Sequence, residues 1–357
     1  MNNPRILWVL LKEGPHPVFG PLGKALNADM FLLTEPDDHS IYKKIPILNR
    51  IVEYIRVLFL AFSLPRDYDA FLCEAGAGYQ AAAVSKKLHL TSSTKIIVWA
   101  AWAGFSYRFN KKNPKFTIGY HLLNEVDIFL SPSKYRETSL KRIVKNKKII
   151  IVYGFPNPAI KPLLDENKRN EGLSMHRLLA IPGNISTRNK MNEKGIDLVV
   201  ESFKLLKRKY KDTTLVIVGS GLSVEDFENL WKIDGLTFVY HPDYENLSNI
   251  IKNSSLYVHI GRDDAFPTSA LDAMYGGLPV LISDQTGIID VMDKLDLRLV
   301  TPLDIGTIAE KISWYFDLDE SEKEILSRKA RMISLEFDEG LIANKFKQDV
   351  INALKET

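Results

Sequence analysis

Short runs of apolar, mostly β-branched residues recur along the whole chain, and stretches with helical periodicity separate them. Such runs are typical of strands buried on both faces of a parallel sheet. The first half carries six of them, at residues 5–11, 28–33, 69–73, 95–99, 126–131 and 148–153. The second half carries six more, at residues 177–182, 214–218, 236–240, 255–260, 279–283 and 297–300. This alternation predicts an α/β chain with two doubly wound parallel sheets.

The length of 357 residues fits two domains of ordinary size. A hydrophobic content of 45% with 25% charged residues is enough to build a core and excludes a disordered chain. Residues 161–175 are polar and poor in apolar side chains, so we interpret them as a linker between the two series of strands.

The single cysteine, Cys73, excludes an internal disulfide and a cysteine-based metal site. No run of 18 or more apolar residues is present, and the first residues turn polar too soon for a signal peptide. These features predict a cytoplasmic protein that does not span a membrane.

The charge is unevenly divided. Residues 1–155 hold 22 Lys and Arg against 12 Asp and Glu, whereas residues 156–357 hold 25 against 32.

Within the basic half, residues 134–148 carry seven basic side chains and one Glu, and residues 50–64 predict an apolar helix with basic flanks. Together they suggest peripheral docking on an anionic membrane surface. The alternative is a buried helix and a solvated basic face. No recognition motif for nucleic acid accompanies these residues.

Parallel sheets bind ligands beyond the carboxyl ends of their strands. In the first half, the loop after the first strand contains Gly14, His16 and Gly20, which suit close approach of a sugar or phosphate. Glu74 follows the third strand and Trp102 follows the fourth. Each has an ordinary alternative: a turn for the loop, a helix-dipole charge for Glu74 and aromatic core packing for Trp102.

The loop after strand 177–182 brings three cations together. Gly183 and Asn184 open this loop, and Arg188, Lys190 and Lys194 follow. Lys194 directly precedes a glycine at a predicted helix start, where a cation is well placed to hold a diphosphate. The alternative is a set of surface lysines. After strand 214–218, the tight turn Gly219-Ser220-Gly221 leaves room for a nucleotide against the backbone.

Residues 261–280 contain the most specific pattern. Thr268 and Ser269 begin a predicted helix whose free N–H groups can receive phosphate oxygens. Asp264 and Asp272, with seven residues between them, can each accept hydrogen bonds from sugar hydroxyls.

From Gly183 to Asp284 the chain resembles the family 4 retaining glycosyltransferases. The resemblance rests on the ordered set of the Lys-Gly pair before a helix, VIVGSG at 216–221, the two spaced carboxylates and A-M-x-x-G-x-P-V at 273–280. It implies the GT-B architecture, two facing Rossmann-like domains with a cleft between them. The acceptor-side domain would be residues 1–155 with a crossing helix near 338–357, and the nucleotide-sugar domain residues 156–337.

The resemblance also implies an activity. A sugar would pass from a nucleotide-diphosphate-sugar donor to a saccharide or lipid-linked acceptor, with retention at the anomeric carbon and without a metal or cofactor. The implied catalytic residues are Lys194, Asp264 and Arg188. The implied donor-binding residues are Gly183, Asn184, Lys190, Gly219, Gly221, His241, Phe266, Pro267, Thr268, Ser269 and Asp272. The implied acceptor-side residues are Gly14, His16, Gly20, Glu74 and Trp102.

Four features depart from the family pattern. Both spaced carboxylates are aspartates where the family has glutamates. Asn184 stands where an arginine is frequent, which leaves Arg188 or Lys190 as replacements, and residues 99–104 lack the family's histidine. These departures motivate a second hypothesis, a noncatalytic GT-B nucleotide-binding partner subunit. A nucleotide-sugar epimerase fits the order of the motifs less well.

Overall fold

The computed structural model describes residues 3–10, 20–32, 46–74, 76–100, 117–165 and 176–356. The chain divides into two compact units. The first comprises Met1–Tyr153 with Gly340–Thr357, and the second comprises Gly154–Glu339.

The first unit is built on a parallel sheet of six strands in the order β2-β1-β3-β4-β5-β6. The strands are β1 (Ile6–Leu10), β2 (Asp29–Leu32), β3 (Ala70–Glu74), β4 (Lys95–Trp99), β5 (Ile128–Ser131) and β6 (Lys148–Ile151). The helices of this part are α1 (Gly20–Ala25), α2 (Pro46–Ser63), α3 (Ala77–Lys87), α4 (Thr117–Leu122) and α5 (Lys134–Lys141). The core lies where α3 meets the central strands. Its alanines 81, 82 and 83 are fully buried beside Phe71 and Phe129.

The second unit contains the other six-stranded parallel sheet, in the order β12-β11-β10-β7-β8-β9. Its strands are β7 (Arg177–Asn184), β8 (Thr214–Ser220), β9 (Leu236–Tyr240), β10 (Leu256–His259), β11 (Val280–Ser283) and β12 (Val300–Thr301). The helices begin with α6 (Lys161–Asp165), α7 (Arg188–Glu193), α8 (Ile196–Lys209), α9 (Val224–Leu230) and α10 (Tyr244–Lys252). They continue with α11 (Thr268–Tyr275), α12 (Met292–Leu295), α13 (Ile305–Asp317) and α14 (Glu320–Leu335). The last helix of the chain is α15 (Glu339–Glu356), and all of it from Gly340 onward belongs to the first unit.

Local sequence explains where several helices begin. Ser223, Asp243, Asp304 and Asp319 each precede a helix and accept a hydrogen bond from a backbone N–H in its first turn, as N-cap residues do. The last helix, α15, contributes to the first unit. Its Phe346 is buried and packs edge-on against Trp99 of β4, with 6.3 Å between the ring centroids.

The predicted α/β class with two doubly wound parallel sheets is confirmed, but several details differ. Edge strands β2, β6 and β9 expose part of their residues, because a sheet edge has a neighbour on one side only. Residues 297–300 were predicted as a strand, yet Leu297–Leu299 forms a 3₁₀ turn capped by Asp296, and the strand is Val300–Thr301.

The linker prediction is wrong for residues 161–165. They form α6 inside the second unit, where Leu164 is buried and Asp165 accepts a hydrogen bond from Tyr275 at 2.8 Å. Residues 166–175 lie outside the described part of the chain. The loop after β7 also differs from expectation, because it contains the short helix α7. Within the described ranges, no helix has the length and apolar character needed to cross a bilayer.

Candidate functional site

The loops after β7, β8, β9 and β10 meet at the carboxyl-terminal edge of the second sheet, because these strands are parallel neighbours. Backbone hydrogen bonds join the loops. The N–H of His241 donates to the Gly219 carbonyl at 2.9 Å, and the N–H of Ile185 donates to the Ser220 carbonyl at 2.9 Å. This edge is where open parallel sheets bind ligands.

Lys194 and Asp264 form an ion pair at this edge. Lys194 Nζ lies 2.8 Å from Asp264 Oδ2. The Asp264 side chain is only 13% exposed, whereas that of Lys194 is 36% exposed, so the cation reaches solvent more easily than the carboxylate. The structure thus brings together two residues that the sequence analysis assigned to separate parts of the donor.

A third residue, His259 at the end of β10, contacts the ion pair of Lys194 and Asp264. Its ring is almost fully buried, and Nε2 lies 3.2 Å from Asp264 Oδ2, the same oxygen that Lys194 contacts. This contact is close but not aligned as a full hydrogen bond. Sequence reasoning missed His259. The available signal was a histidine within an otherwise apolar strand.

Burial alone would raise the pKa of Asp264. The contact with His259 and the positive charge of Lys194 outweigh that effect and hold the pKa of this carboxyl well below its usual range. Asp264 is therefore an anion at any physiological pH.

The backbone that carries Lys194 is fixed from two sides. Gly195 has φ +69° and lies against the Ile260 carbonyl, where a Cβ atom would come within 1.7 Å of the oxygen. Arg262 forms two hydrogen bonds of 2.8 Å with the Asp197 carboxylate. It also donates to the carbonyl of Asn192, so its guanidinium ties both flanks of Lys194 to the loop after β10.

Asp264 is fixed through its own backbone. Its N–H donates to the Gln285 carbonyl at 3.1 Å, and its carbonyl accepts from the N–H of Gly287 at 2.9 Å. The preceding residue, Asp263, has φ +63°, an uncommon conformation for a residue with a side chain. The loop therefore holds the carboxylate in one position.

Helix α11 begins beside this group, with Pro267 as its N-cap and Thr268 as its first residue. Ser269 Oγ lies 2.8 Å from the Tyr257 hydroxyl and 3.2 Å from the Ile181 carbonyl oxygen. Phe266 is buried and packs on Phe337, with 5.8 Å between ring centroids. The Ser269 side chain thus ties the first turn of α11 to the neighbouring strands β7 and β10.

Asp272 lies one turn further along α11. Its carboxylate accepts a hydrogen bond from the backbone N–H of Asn157 at 2.6 Å. Burial raises the pKa of Asp272 to about 7, although the Asn157 hydrogen bond acts in the opposite direction. The contact with Asn157 was not foreseen from the sequence, because it joins residues far apart in the chain.

The glycines and cations of the β7 and β8 loops are also close together. Asn184 Oδ1 accepts hydrogen bonds from the Ser186 N–H at 3.0 Å and from Lys190 Nζ at 3.3 Å. Gly221 packs on the same oxygen, where a Cβ atom would lie 2.8 Å away. Gly183 has φ +75°, and a Cβ atom there would meet nothing within 4 Å.

Arg188 is the exposed first residue of α7, which Thr187 caps. Within the described ranges, Arg188 makes no ion pair or side-chain hydrogen bond. Its catalytic role stays a prediction, as do the roles of the other residues of the site.

Of the acceptor-side residues, Gly20 is the buried first residue of α1, and Glu74 ends β3. Glu74 lines a small cavity of the first unit with Trp8, Trp99 and Phe346. Gly14, His16 and Trp102 lie outside the described residues. The described ranges contain no group of three or more His, Cys, Asp or Glu side chains that could hold a metal ion.

Residues 185–332 match the family model described as "Glycosyl transferases group 1". An uncharacterized glycosyltransferase of Haemophilus influenzae is 27% identical over 185 residues, which are 50% of this chain and 48% of that protein. The N,N'-diacetylbacillosaminyl-diphospho-undecaprenol alpha-1,3-N-acetylgalactosaminyltransferase of Campylobacter jejuni is 24% identical over 154 residues, 43% of this chain and 40% of that protein. The chain thus spans about half the length of the curated relatives it matches.

Among solved structures, the chain resembles "Trehalose-6-phosphate from E. coli bound with UDP-2-fluoro glucose" with a TM-score of 0.73. The likeness covers 99% of both chains at 11% sequence identity, so it concerns the fold alone. Residues 185–332 of the second unit therefore match the group 1 glycosyltransferase family, and the two Rossmann-like sheets have the GT-B fold of the solved structures that the chain resembles.

Proposed function

We propose that this chain is a retaining glycosyltransferase of family 4 that moves a sugar from a nucleotide-diphosphate-sugar donor to a saccharide or lipid-linked acceptor. The observation that carries the proposal is the Lys194–Asp264 pair at the carboxyl edge of the second sheet. A cation for a diphosphate and an anion for sugar hydroxyls lie side by side, beside the start of α11.

In the proposed reaction, the bond between the anomeric carbon and the diphosphate oxygen breaks, and an acceptor hydroxyl oxygen forms a new bond to that carbon. Negative charge grows on the departing diphosphate, which takes up the hydroxyl proton. Lys194 would stabilise that charge, because a fixed cation acts most strongly where charge develops. The N–H groups at the start of α11 would receive phosphate oxygens. These groups supply the positive charge without a metal ion or a cofactor, which is part of the proposal.

Asp264 would accept hydrogen bonds from hydroxyls of the donor sugar. Its low pKa supports this role, since an ionised carboxylate is a stronger acceptor than a neutral one. Asp272 would contact the ribose. Arg188 and Lys190 are exposed in the first turn of α7 and would assist at the diphosphate.

A thermal-shift screen tests this proposal. The purified chain is heated with UDP-, GDP-, ADP- and TDP-sugars and with the free diphosphates, with and without EDTA, because a ligand of the folded state raises the apparent stability. We expect one nucleotide class to raise the midpoint of thermal unfolding by the same amount with and without EDTA. A shift without any sugar transfer would favour the noncatalytic nucleotide-binding partner subunit, and no shift with any of them would contradict both hypotheses.

The stereochemistry needs its own measurement. Once a donor and an acceptor are known, proton NMR of the product while it forms reports its anomeric configuration. The same configuration as in the donor supports retention. The opposite configuration would contradict it, and inversion at C2 of the donor without transfer would identify an epimerase.

We also propose that the protein works in the cytoplasm and docks on an anionic membrane through α2. This helix is apolar on two faces. Val57, Leu60 and Ala61 are buried, whereas the opposite face exposes four large apolar side chains. They are Ile55 (49% exposed), Leu58 (42%), Phe59 (71%) and Phe62 (55%). Their spacing of three and four residues makes one continuous stripe.

The sequence around α2 is basic, which suits an anionic bilayer. Residues 43–66 contain five Lys or Arg and a single Glu. The basic residues 134–148 belong to a different part of the first sheet's topology. They begin with α5, which connects β5 and β6 at one sheet edge, whereas α2 follows β2 at the other. That the two segments act together on one membrane surface stays a prediction. A bilayer surface would suit the lipid-linked acceptor, such as the undecaprenol derivative named for the Campylobacter relative.

Sedimentation with phosphatidylglycerol-containing vesicles at low salt tests the docking. The double variant Phe59→Ser/Phe62→Ser should lower the bound fraction about tenfold or more, because two apolar side chains no longer enter the bilayer. Met332→Ser, at an equally exposed apolar residue of the second unit, is the control. Unchanged vesicle binding would contradict the proposal, and a changed oligomeric state would assign the stripe to a second copy.

A further inference from the structure

The Asp264 carboxylate uses one oxygen for both of its protein contacts. Lys194 Nζ lies 2.8 Å and His259 Nε2 lies 3.2 Å from Oδ2. In the part of the chain that the structure describes, no group donates a hydrogen bond to Oδ1. Both contacts are made by Oδ2, which leaves Oδ1 to accept hydrogen bonds from a ligand.

The other side of the His259 ring contacts Tyr257. Its Nδ1 lies 3.5 Å from the Tyr257 hydroxyl, and the two rings are stacked with an interplanar angle of 10°. The Tyr257 hydroxyl is in turn 2.8 Å from Ser269 Oγ, in the first turn of α11. The chain of contacts runs from the start of α11 through Tyr257 and His259 to Asp264.

A glycine at position 261 leaves room for the His259 ring. Gly261 lies beside it, and a Cβ atom there would come within 2.9 Å of His259 Nε2 and 3.3 Å of the Asp264 Cβ. A side chain at this position would force the imidazole to shift. The sequence thus provides both the histidine and the space through which it reaches Asp264.

We propose that His259 is a positioning residue for the donor sugar: it turns the Asp264 carboxylate so that Oδ1 faces the sugar hydroxyls. The inference rests on the proposed function, because it needs a donor sugar at Asp264. It also gives a reason why an aspartate serves where the family has a glutamate. A side chain shorter by one methylene has less reach, and a second fixed contact defines where its free oxygen lies.

The imperfect alignment of the His259 contact fits this role. Hydrogen bonds within catalytic sites are frequently long or poorly aligned without substrate, and they tighten in the complex. A sugar bound at Oδ1 would draw the carboxylate into line with Nε2–H.

The test compares two dissociation constants for each protein. Calorimetry measures the Kd of a nucleoside diphosphate and of its sugar conjugate, in the pairs UDP and UDP-glucose, GDP and GDP-mannose, ADP and ADP-glucose, and TDP and TDP-glucose. The ratio of the two constants isolates the contribution of the sugar. A merely structural defect would weaken both ligands and leave that ratio unchanged.

For His259→Leu we expect the Kd of the sugar conjugate to rise about tenfold or more relative to the Kd of the diphosphate, which should be nearly unchanged. His259→Gln keeps an N–H donor of similar reach and should restore most of the ratio. His176→Leu is the matched control, because it makes the same change at another histidine of the second unit. The His176 ring stacks on Phe316, with 4.2 Å between the ring centroids.

An unchanged ratio in His259→Leu would overturn the inference, and so would an equal loss for both ligands. If the leucine variant does not fold, NMR of the His259 ring nitrogens in the wild-type protein takes its place. Those signals should move with the sugar conjugate and not with the diphosphate alone, and the absence of a difference would overturn the inference. If no diphosphate binds the wild-type protein, the proposed function itself fails, which is a distinct result.

Discussion

The Asp272 carboxylate and the backbone N–H of Asn157 are joined by a hydrogen bond of 2.6 Å that connects the middle of α11 to the segment preceding α6. Burial raises the pKa of this carboxyl to about 7, from 3.8 for an ordinary aspartate, and the hydrogen bond from Asn157 offsets part of that rise. Asp272 therefore changes its charge close to neutral pH, whereas Asp264 stays ionised.

Asp272 should make the stability of the protein fall as the pH rises from about 4 to about 7. In this window the folded protein keeps a proton on Asp272 that the unfolded chain has lost, so the proton favours the folded state and its loss destabilises it. The slope from one such group is at most about 1.4 kcal/mol per pH unit. Asp272→Asn, which cannot ionise, should show a smaller decline over the same range.

Urea unfolding of both proteins at several pH values between 4 and 8 measures this difference. The wild-type free energy of unfolding minus that of Asp272→Asn should decrease with pH and level off above about 7. Parallel curves would mean that the folded state does not retain the proton, and the raised pKa of Asp272 would then be wrong.

Lys194→Ala should lower turnover by about two to three orders of magnitude, because Lys194 would act on charge that develops in the transition state. The variant should still fold, since the side chain is partly exposed and Asp264 keeps its contact with His259. Steady-state kinetics with the identified donor, together with circular dichroism, separate the two effects.

Lys204→Ala is the control for this change. Lys204 lies on α8, the helix that begins just after Lys194, and pairs with Glu201 at 2.6 Å on the exposed surface. Its removal should leave turnover unchanged. Turnover at the wild-type level in Lys194→Ala would remove the diphosphate role from this lysine.

The sequence was informative where the structure depends on local rules. Apolar β-branched runs located most of the strands, because a strand buried on both faces needs such residues along its whole length. The apolar run at residues 297–300 wrongly predicted a strand, for a physical reason. Asp296 accepts a hydrogen bond from the Arg298 N–H and folds the run into a 3₁₀ turn. Residues 161–165 misled because this polar segment forms α6, which buries Leu164 in the second unit.

Within the site, the sequence pointed to Lys194, Asp264 and the start of α11, because spacing and residue type are visible in one dimension. It could not show that Lys194 and Asp264 contact each other, nor that His259 joins them. Those contacts depend on which strands are neighbours and on the close approach that Gly261 permits. The contact of Asp272 with Asn157 was hidden for the same reason.

Arg262→Lys should lower turnover by about tenfold or more while changing stability much less. The guanidinium holds Asp197 through two hydrogen bonds and also reaches the Asn192 carbonyl, and a lysine cannot make this forked contact. The backbone around Lys194 would then be less well fixed, and small misplacements of a reacting group are costly. Kinetics should show a lower kcat, and an unchanged kcat would mean that Gly195 alone fixes Lys194.

Gly195 and Gly183 allow backbone strain to be separated from steric overlap. Both have positive φ, +69° and +75°, so alanine at either position meets the same left-handed conformation. That conformation costs a residue with a side chain about 1–2 kcal/mol. At Gly183 an added Cβ meets nothing within 4 Å, whereas at Gly195 it would overlap the Ile260 carbonyl oxygen at 1.7 Å. Gly183→Ala should therefore lose only the strain energy, and Gly195→Ala should lose several times as much or fail to fold. Urea denaturation of the two variants measures the difference, and equal losses would show that the loop around Lys194 can move away from β10.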